Sequence, residues 1–300
     1  MNTLPGNDQT LQQEIQRNVR SAIEEDCGTL DGSGDWTAML LPAQQVRQAR
    51  VISREAGVLC GQAWFEACFR QLDPTFEIQW KVEEGGSLTA NGVVCEFTGK
   101  TRALLTAERP ALNFLQTLSG VATKTRAYAN AVAGTRAVVM DTRKTLPGLR
   151  LAQKYAVRVG GGANQRIGLY DGILIKENHV TAASGITAAL DAAQALHAGV
   201  SIQIEVETLQ QLHEALEWGV KLVLLDNFSQ EQVREAVRIN AGRAQLEVSG
   251  GVELEGLREI AETGVDRISI GSLTKHVQAV DFSMRLVAEA VTGDGKGRDE

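Results

Sequence analysis

The sequence predicts an α/β fold: an incomplete parallel α/β barrel, TIM-like, preceded by an N-terminal α+β sandwich domain. Three observations predict it. After about residue 130, short runs of β-branched and aliphatic residues alternate with amphipathic helical stretches, the pattern of repeated βα units. The last three runs begin at Leu222, Gln245 and Arg267 and recur every 22 or 23 residues, the length of a βα unit with short loops. Before Lys100 the pattern changes to strict apolar/polar alternation, as in half-exposed antiparallel strands.

Taken in order, residues 10–25 place Leu11, Ile15, Val19, Ala22 and Ile23 at helical spacing, with Gly28 as a stop. Gly32, Gly34 and Asp35 then form a turn. Alternation predicts strands at residues 50–55, 76–82 and 92–97, with a helix at 63–72 packed through Trp64, Phe65, Cys68 and Phe69. Residues 104–132 are almost continuously helix-compatible, and Pro110 is best placed in the first turn of a second helix, where its missing N–H costs nothing. Barrel strands are expected at 137–140, 172–175, 201–206, 222–225, 245–248 and 267–270. Residues 282–291 read as one more helix and the last eight as a solvated tail. The expected division is residues 1–117 for the sandwich, joined by a C-terminal helix over 278–300, and 118–277 for the barrel.

With 43% hydrophobic and 22% charged residues the chain is an ordinary globular one, and its 300 residues suffice for a barrel plus an accessory domain. A net charge of −7 argues against bulk attraction to nucleic acid or an anionic membrane, so any cationic cluster must act locally. Cys27, Cys60, Cys68 and Cys95 form no CxxC pair and alternate with apolar residues, which reads as buried free thiols in a reducing cytosol. No apolar run reaches the ~20 residues needed to cross a bilayer, and no secretory pattern opens the chain, so a cytoplasmic location is expected.

The chemistry sits at the ends of the predicted strands, which in a barrel open on one face. Arg143 and Lys144 follow the first strand directly, and adjacent cations at a strand end imply an anion. Arg150, Lys154 and Arg158, at i, i+4, i+8 spacing, are equally readable as further positive charge for that anion or as the solvated face of a helix. Gly160-Gly161-Gly162 is either a nest of backbone N–H groups or a loop that needs positive φ. Arg166 behind it offers a two-pronged match to carboxylate or phosphate. Lys176 ends the second strand, where a lysine would also suit Schiff-base chemistry, and His179 reads as a hydrogen-bonded loop residue. In residues 202–207 the polar side chains Gln203, Glu205 and Glu207 share one face and the aliphatics the other, so Glu205 points into the barrel. Asp226 ends the next strand, and Ser229, three residues before Gln232, is the better helix cap. Glu205 and Asp226 on adjacent strand ends suit Mg²⁺, which takes one or two carboxylates and completes its shell with water and phosphate. Ser249-Gly250-Gly251 and Ile270-Gly271-Ser272 follow the last two strands, where barrels commonly build a phosphate site.

Together, DTRKTLPGLR from Asp141, KYAV from Lys154, GGGANQRIGL from Gly160 and LIKENH from Leu174 closely resemble the quinolinate phosphoribosyltransferase family. Glu108-Arg109 with ALNFLQTLSGVAT after it, EVE at Glu205, LLDNF at Leu224, EVSGG at Glu247 and TKH at Thr274 extend the likeness over nearly the whole chain. The resemblance implies a homo-oligomer, a dimer at least, with shared active sites. It implies an enzyme that joins quinolinate to 5-phosphoribosyl-1-pyrophosphate with Mg²⁺, giving nicotinate mononucleotide, pyrophosphate and CO₂ in NAD synthesis. It implies that Thr142, Arg143, Gln165, Arg166 and Lys176 line the substrate site, Arg143, Arg166 and Lys176 holding the quinolinate carboxylates and Arg109 reaching in from the partner. Lys144, Glu205 and Asp226 would serve the sugar pyrophosphate and its metal, with Lys144, Lys176, Glu205 and Asp226 as the catalytic set. Ser249, Gly250, Gly251, Ile270, Gly271 and Ser272 would take the 5-phosphate. One departure is plain: where the family pattern reads Asn-His-Arg, this chain reads Asn164-Gln165-Arg166. A neutral amide in place of imidazole predicts weaker substrate binding or slower turnover. Competing readings are a phosphoribosyltransferase for a monocarboxylate such as nicotinate, a Schiff-base aldolase built on Lys176, and a non-catalytic anion-binding homologue.

Overall fold

The computed structural model describes residues 9–287. Helix α1 (Gln9–Cys27) is followed by β1 (Val46–Ser53), β2 (Gly57–Val58), α2 (Gln62–Leu72), β3 (Glu77–Trp80), β4 (Ser87–Leu88) and β5 (Val93–Lys100). Helix α3 (Thr101–Ala131) then leads to the second region, which alternates β6 (Val138–Met140), α4 (Arg150–Val159), β7 (Gly172–Ile175), α5 (Glu177–Ala183), α6 (Ile186–Ala195), β8 (Ser201–Val206), α7 (Leu209–Trp218), β9 (Leu222–Asp226), α8 (Gln230–Asn240), β10 (Gln245–Ser249), α9 (Leu257–Ala261), β11 (Arg267–Ser269) and α10 (Ser272–Lys275). The described chain ends on β12 (Phe282–Leu286).

The first layer is an antiparallel sheet in the order β12-β1-β5-β3, covered by α2. Its strands alternate because one face is buried: Ala49, Val51 and Ser53 face the core while Arg50 faces out. Phe65, Phe69, Phe76 and Phe97 close the core, with the Phe69 and Phe76 rings stacked at 4.8 Å.

The second layer is a parallel sheet in the order β6-β11-β10-β9-β8-β7. Each of β7 to β11 pairs with its neighbour in sequence, and β11 returns to pair with β6, so the sheet curls into a barrel. It does not close between β6 and β7. Part of the gap is taken by the segment before β7, where the Ala163 N–H donates to the Val139 carbonyl at 2.8 Å and the Asp141 N–H to the Ala163 carbonyl at 3.1 Å. Gln165 and Arg166, just beyond Asn164, are thereby carried to the strand-end side of the gap.

Two expectations change. Pro110 lies inside one continuous 31-residue helix rather than starting a second. Burial of Ala103, Leu104, Ala107, Ala111, Leu112 and Leu115 on both sides of it outweighs the one hydrogen bond that a proline cannot donate. The expected C-terminal helix over 278–300 is a strand where it is described: β12 pairs antiparallel with β1 from Ser53↔Phe282 to Ala49↔Leu286, and residues 288–300 lie outside the described residues. Phe282 and Met284 alternate into the core and Ser283 and Arg285 do not, a period of two that the free edge of β1 stabilises over the helical reading. To reach that edge the chain crosses α3 at Gly120, where any Cβ would stand 2.1 Å from the Gln278 carbonyl oxygen. The C-terminal segment therefore joins the first sheet, as a strand.

Candidate active site

The carboxyl-terminal ends of the barrel strands surround a cavity of about 570 Å³. Strand β6 delivers Thr142, Arg143 and Lys144, the gap segment Gln165 and Arg166, and β7 Lys176. From β8 and β9 come Glu205 and Asp226. The turn after β10 brings Ser249, Gly250 and Gly251, and the turn after β11 brings Ile270, Gly271 and Ser272. Every site residue expected from the sequence lines this one cavity except Arg109. That residue is exposed on α3 and lines a separate depression with Arg17, Asn113 and Gly148.

The position of the cations follows from a buried pair beneath them. Asp141 and Lys154 are both fully buried and hydrogen-bonded to each other. Burial pushes the Asp141 carboxyl up to about 6, against the pull of Lys154. Burial likewise draws the Lys154 amine down, against the pull of Asp141. Lys154 is thus neither on a solvated helix face nor in the cavity, so both earlier readings give way to a structural one. The pair also fixes the gap segment: Asp141 Oδ1 accepts the Gln165 N–H at 2.9 Å, and Lys154 Nζ donates to the Gln165 carbonyl at 2.9 Å. Gly160-Gly161-Gly162 packs toward α3 and does not line the cavity.

Arg143 and Arg166 both line the cavity and are close enough to repel each other. The Arg166 guanidinium is lowered from its usual value by desolvation and then by Arg143, with Asp171 opposing. Two neighbouring guanidinium groups that repel each other favour a bound anion. Lys176 Nζ rests on Glu205 Oε2 at 2.8 Å, half-exposed lysine on buried carboxylate. His179 is the loop residue expected, its Nδ1 accepting the Lys176 N–H at 3.0 Å in a capping box on α5. Ser229 caps α8 through the Gln232 N–H, which leaves Asp226 to the cavity.

At the far wall the Lys144 side chain lies over Gly271, where a Cβ would stand 2.9 Å from Lys144 Cδ. A larger residue would push the lysine off. The Ser272 hydroxyl is buried with no hydrogen-bond partner, an open valence that a ligand oxygen would fill. Lys124, unremarked in the sequence because a lysine in mid-helix reads as solvated, reaches from α3 to donate to the Ser272 carbonyl at 2.8 Å and holds this turn. Desolvation lowers its amine, with Glu253 opposing. Gln203 and Glu247 were also missed as site residues. They meet Gln165 inside the barrel: the alternation in residues 202–207 announces that Gln203 shares the face of Glu205, but not its convergence with two other segments.

The fit to a divalent metal is that of a partial ligand set. Glu205 and Asp226 line the cavity, and outside it the exposed carboxylate of Glu207 is raised first by partial desolvation, then by Glu177, Asp226 and Glu205. Such crowding of carboxylates favours a cation. Among the described residues no group of three or more His, Cys, Asp or Glu side chains is arranged to hold a metal. The donors fit a hard ion that brings water and phosphate oxygens for the rest of its shell.

A parallel barrel whose strand ends gather six Lys and Arg side chains, four carboxylates and two glycine-bearing turns defines an enzyme of phosphorylated, acidic small molecules. Two family models match it, the quinolinate phosphoribosyl transferase N-terminal domain over residues 35–119 and the C-terminal domain over residues 121–285. The nicotinate-nucleotide pyrophosphorylase [carboxylating] of Mycobacterium leprae is 41% identical over 276 residues, covering 89% of this chain and 95% of that one. The probable enzyme of the same name from Bacillus subtilis is 39% identical over 254 residues, 84% of this chain and 88% of that one. The solved nicotinate-nucleotide pyrophosphorylase of Francisella tularensis superposes with a TM-score of 0.88 at 41% identity, covering 95% of this chain and 98% of that one. The chain belongs to the quinolinate phosphoribosyltransferase family and is an enzyme, a phosphoribosyltransferase.

Proposed function

We propose that the enzyme joins quinolinate to 5-phosphoribosyl-1-pyrophosphate, with loss of CO₂, to give nicotinate mononucleotide and pyrophosphate in NAD synthesis. The observation that carries this reading is the meeting of Arg143, Arg166 and Lys176 with Glu205, Asp226 and Lys144 in one cavity. Quinolinate brings two carboxylates, and a cation about 4 Å from each contributes roughly 4 kcal/mol at an effective dielectric near 20, before desolvation. A monocarboxylate would leave one of the neighbouring guanidinium groups without a partner, which favours the dicarboxylate over nicotinate. Lys176 is held on Glu205 in an ion pair, which does not favour the free amine that an aldolase needs.

The residues then divide the work. Arg143, Arg166 and Lys176 orient the pyridine ring so that its nitrogen faces C1 of the ribose, and this alignment is a large part of the rate. The C1–O bond to pyrophosphate breaks as the N–C1 bond forms, and Lys144 stabilises the departing charge. The Ser249 and Gly271 turns hold the 5-phosphate, with the Ser272 hydroxyl as one donor. Glu205 and Asp226 would hold Mg²⁺, which when bound would neutralise phosphate charge on the leaving group. Once ribosylated, the ring nitrogen is positive and stabilises the electron pair that the breaking C2–CO₂ bond leaves on C2, and C2 then takes a proton. No enzyme nucleophile is required.

Arg109 stands outside the cavity of its own chain, which supports a homo-oligomer, a dimer at least, in which it reaches the neighbouring site. We place the enzyme in the cytoplasm: among the described residues no helix is long and apolar enough to cross a membrane, and all four cysteines are free and buried. The test is steady-state turnover of carboxyl-labelled quinolinate with the sugar pyrophosphate, with and without Mg²⁺. Labelled CO₂ and pyrophosphate released in equal amounts are expected. Turnover of nicotinate but not of quinolinate would overturn the reading.

A further inference from the structure

A hydrogen-bonded unit on the cavity floor is left unused by the transfer chemistry. The side-chain nitrogen of Gln165 has two N–H groups, and both are taken. One donates to Gln203 Oε1 at 2.9 Å, and the other is shared between Glu247 Oε1 and Oε2, each at 2.8 Å. Gln203 Nε2 donates in turn to Glu247 Oε2 at 3.0 Å. At the opposite end of the Gln165 amide, Oε1 accepts the backbone N–H of Arg166 at 3.0 Å. Gln203 is 5% and Glu247 1% exposed, and they stand on β8 and β10, either side of β9.

An amide has one donor end and one acceptor end, so what faces one end fixes the other. A carboxylate as buried as Glu247 requires donors, and here the donors are neutral amides alone. Turning the Gln165 amide over would set its oxygen against that carboxylate and its N–H groups against the Arg166 N–H. Both contacts would be lost together, so the orientation is held. Arg166 is then fixed at two points, its backbone N–H on Gln165 and its Nη1 on the Gly172 carbonyl at 2.8 Å.

We propose that Gln203, Glu247 and Gln165 form a positioning unit for Arg166, so that Gln165 acts on the acidic substrate through Arg166 and not by touching its carboxylates. The proposal rests on the quinolinate reading and names Gln203 and Glu247 as residues that tune the affinity of that site. It differs from the expectation that Gln165 is itself a substrate ligand, since no N–H of its side chain is free to be one. Gln203 does not line the cavity, so any effect of its substitution on substrate must travel through the unit.

The experiment measures KM for each substrate, and the Kd for quinolinate by calorimetry, in Gln165→Met and Gln203→Met, each with and without Arg166→Met. Met keeps the shape and removes the hydrogen bonds. With Arg166 present, each substitution should raise the quinolinate KM roughly fivefold, the loss of about one net hydrogen bond, and leave the KM for the sugar pyrophosphate unchanged. With Arg166→Met, the same substitutions should alter the quinolinate Kd by less than about twofold, because the residue they act through is gone. Equal losses from Gln165→Met with and without Arg166, or a folded Gln203→Met with unaltered quinolinate affinity, would overturn the proposal. Should Gln203→Met fail to melt cooperatively, the Gln165→Met pair decides alone, since that residue is only half-buried. An unaltered protein that binds no quinolinate would instead overturn the proposed substrate, and the unit's stated role with it.

Discussion

Lys154 illustrates how a residue that reads as functional turns out to be structural. It and Asp141 are the foundation under Arg143, Gln165 and Arg166, and neither lines the cavity. Removing one partner of a buried pair leaves an uncompensated charge, so Lys154→Met should lower the unfolding free energy by about 3–5 kcal/mol, measured by urea denaturation. Adding Asp141→Leu should recover only part of that, because the Gln165 N–H and the Asn164 amide also donate to Asp141. A full recovery would mean that the carboxylate is not needed to hold the gap segment. The departure at Gln165 belongs to the same scale. An imidazolium carries N–H groups on two edges, so one can serve Glu247 while the other reaches the substrate as a charged donor, a contact that outweighs the loss of the neutral acceptor Gln165 gives the Arg166 N–H. Gln165→His should therefore raise kcat/KM for quinolinate, and no gain in a steady-state assay would refute the view that the amide is the poorer group. The Arg–Lys pair at the end of β6 was legible from the sequence because like charges side by side at a strand end have few structural uses. Gln203 and Glu247 were not, because each is an ordinary polar residue until the barrel curls and brings β8, β10 and the gap segment together.

Among the elements, the six barrel strands were readable to within a residue or two because they are mostly buried, aliphatic runs bounded by polar or glycine punctuation. The two elements misread, Pro110 at a helix start and residues 282–291 as a helix, are those whose state is decided by distant partners. The sequence of β12 has helix-compatible residues, but it is the free edge of β1 that fixes its register. That register depends on the crossing at Gly120, which sets the path of residues 278–280: the Val280 N–H bonds the Gln116 carbonyl at 3.1 Å just before β12 begins. Gly120→Val should cost about 1–3 kcal/mol by overpacking, as an inserted side chain forces the backbone of Gln278 away from α3. Hydrogen exchange should localise the loss. Protection of the β12 amides is expected to fall further than that of β8 or β9, and a uniform loss across the barrel would place the strain elsewhere.

At the scale of the whole molecule, net charge and site charge have opposite signs. A chain of net charge −7 concentrates six Lys and Arg side chains in one cavity, so its acidic exterior does not compete for the anionic substrates that its strand ends collect. Arg109 is an exposed cation that this cavity does not gather, although it lies on α3, the helix that also carries Lys124 into the site. If a neighbouring copy supplies Arg109, substitutions on the two sides of a shared site must complement. Arg109→Ala and Lys144→Ala should each be nearly inactive alone. Mixed after dissociation and reassociated as dimers, about half the dimers would be hybrids, each with one doubly altered and one intact site, so about a quarter of the unaltered activity should return. Analytical ultracentrifugation of the same samples reports whether reassociation took place. Activity that stays at the sum of the two variants in reassociated material would show that Arg109 serves no neighbouring site, and the cavity of each chain would then have to hold both substrate carboxylates with Arg143, Arg166 and Lys176 alone.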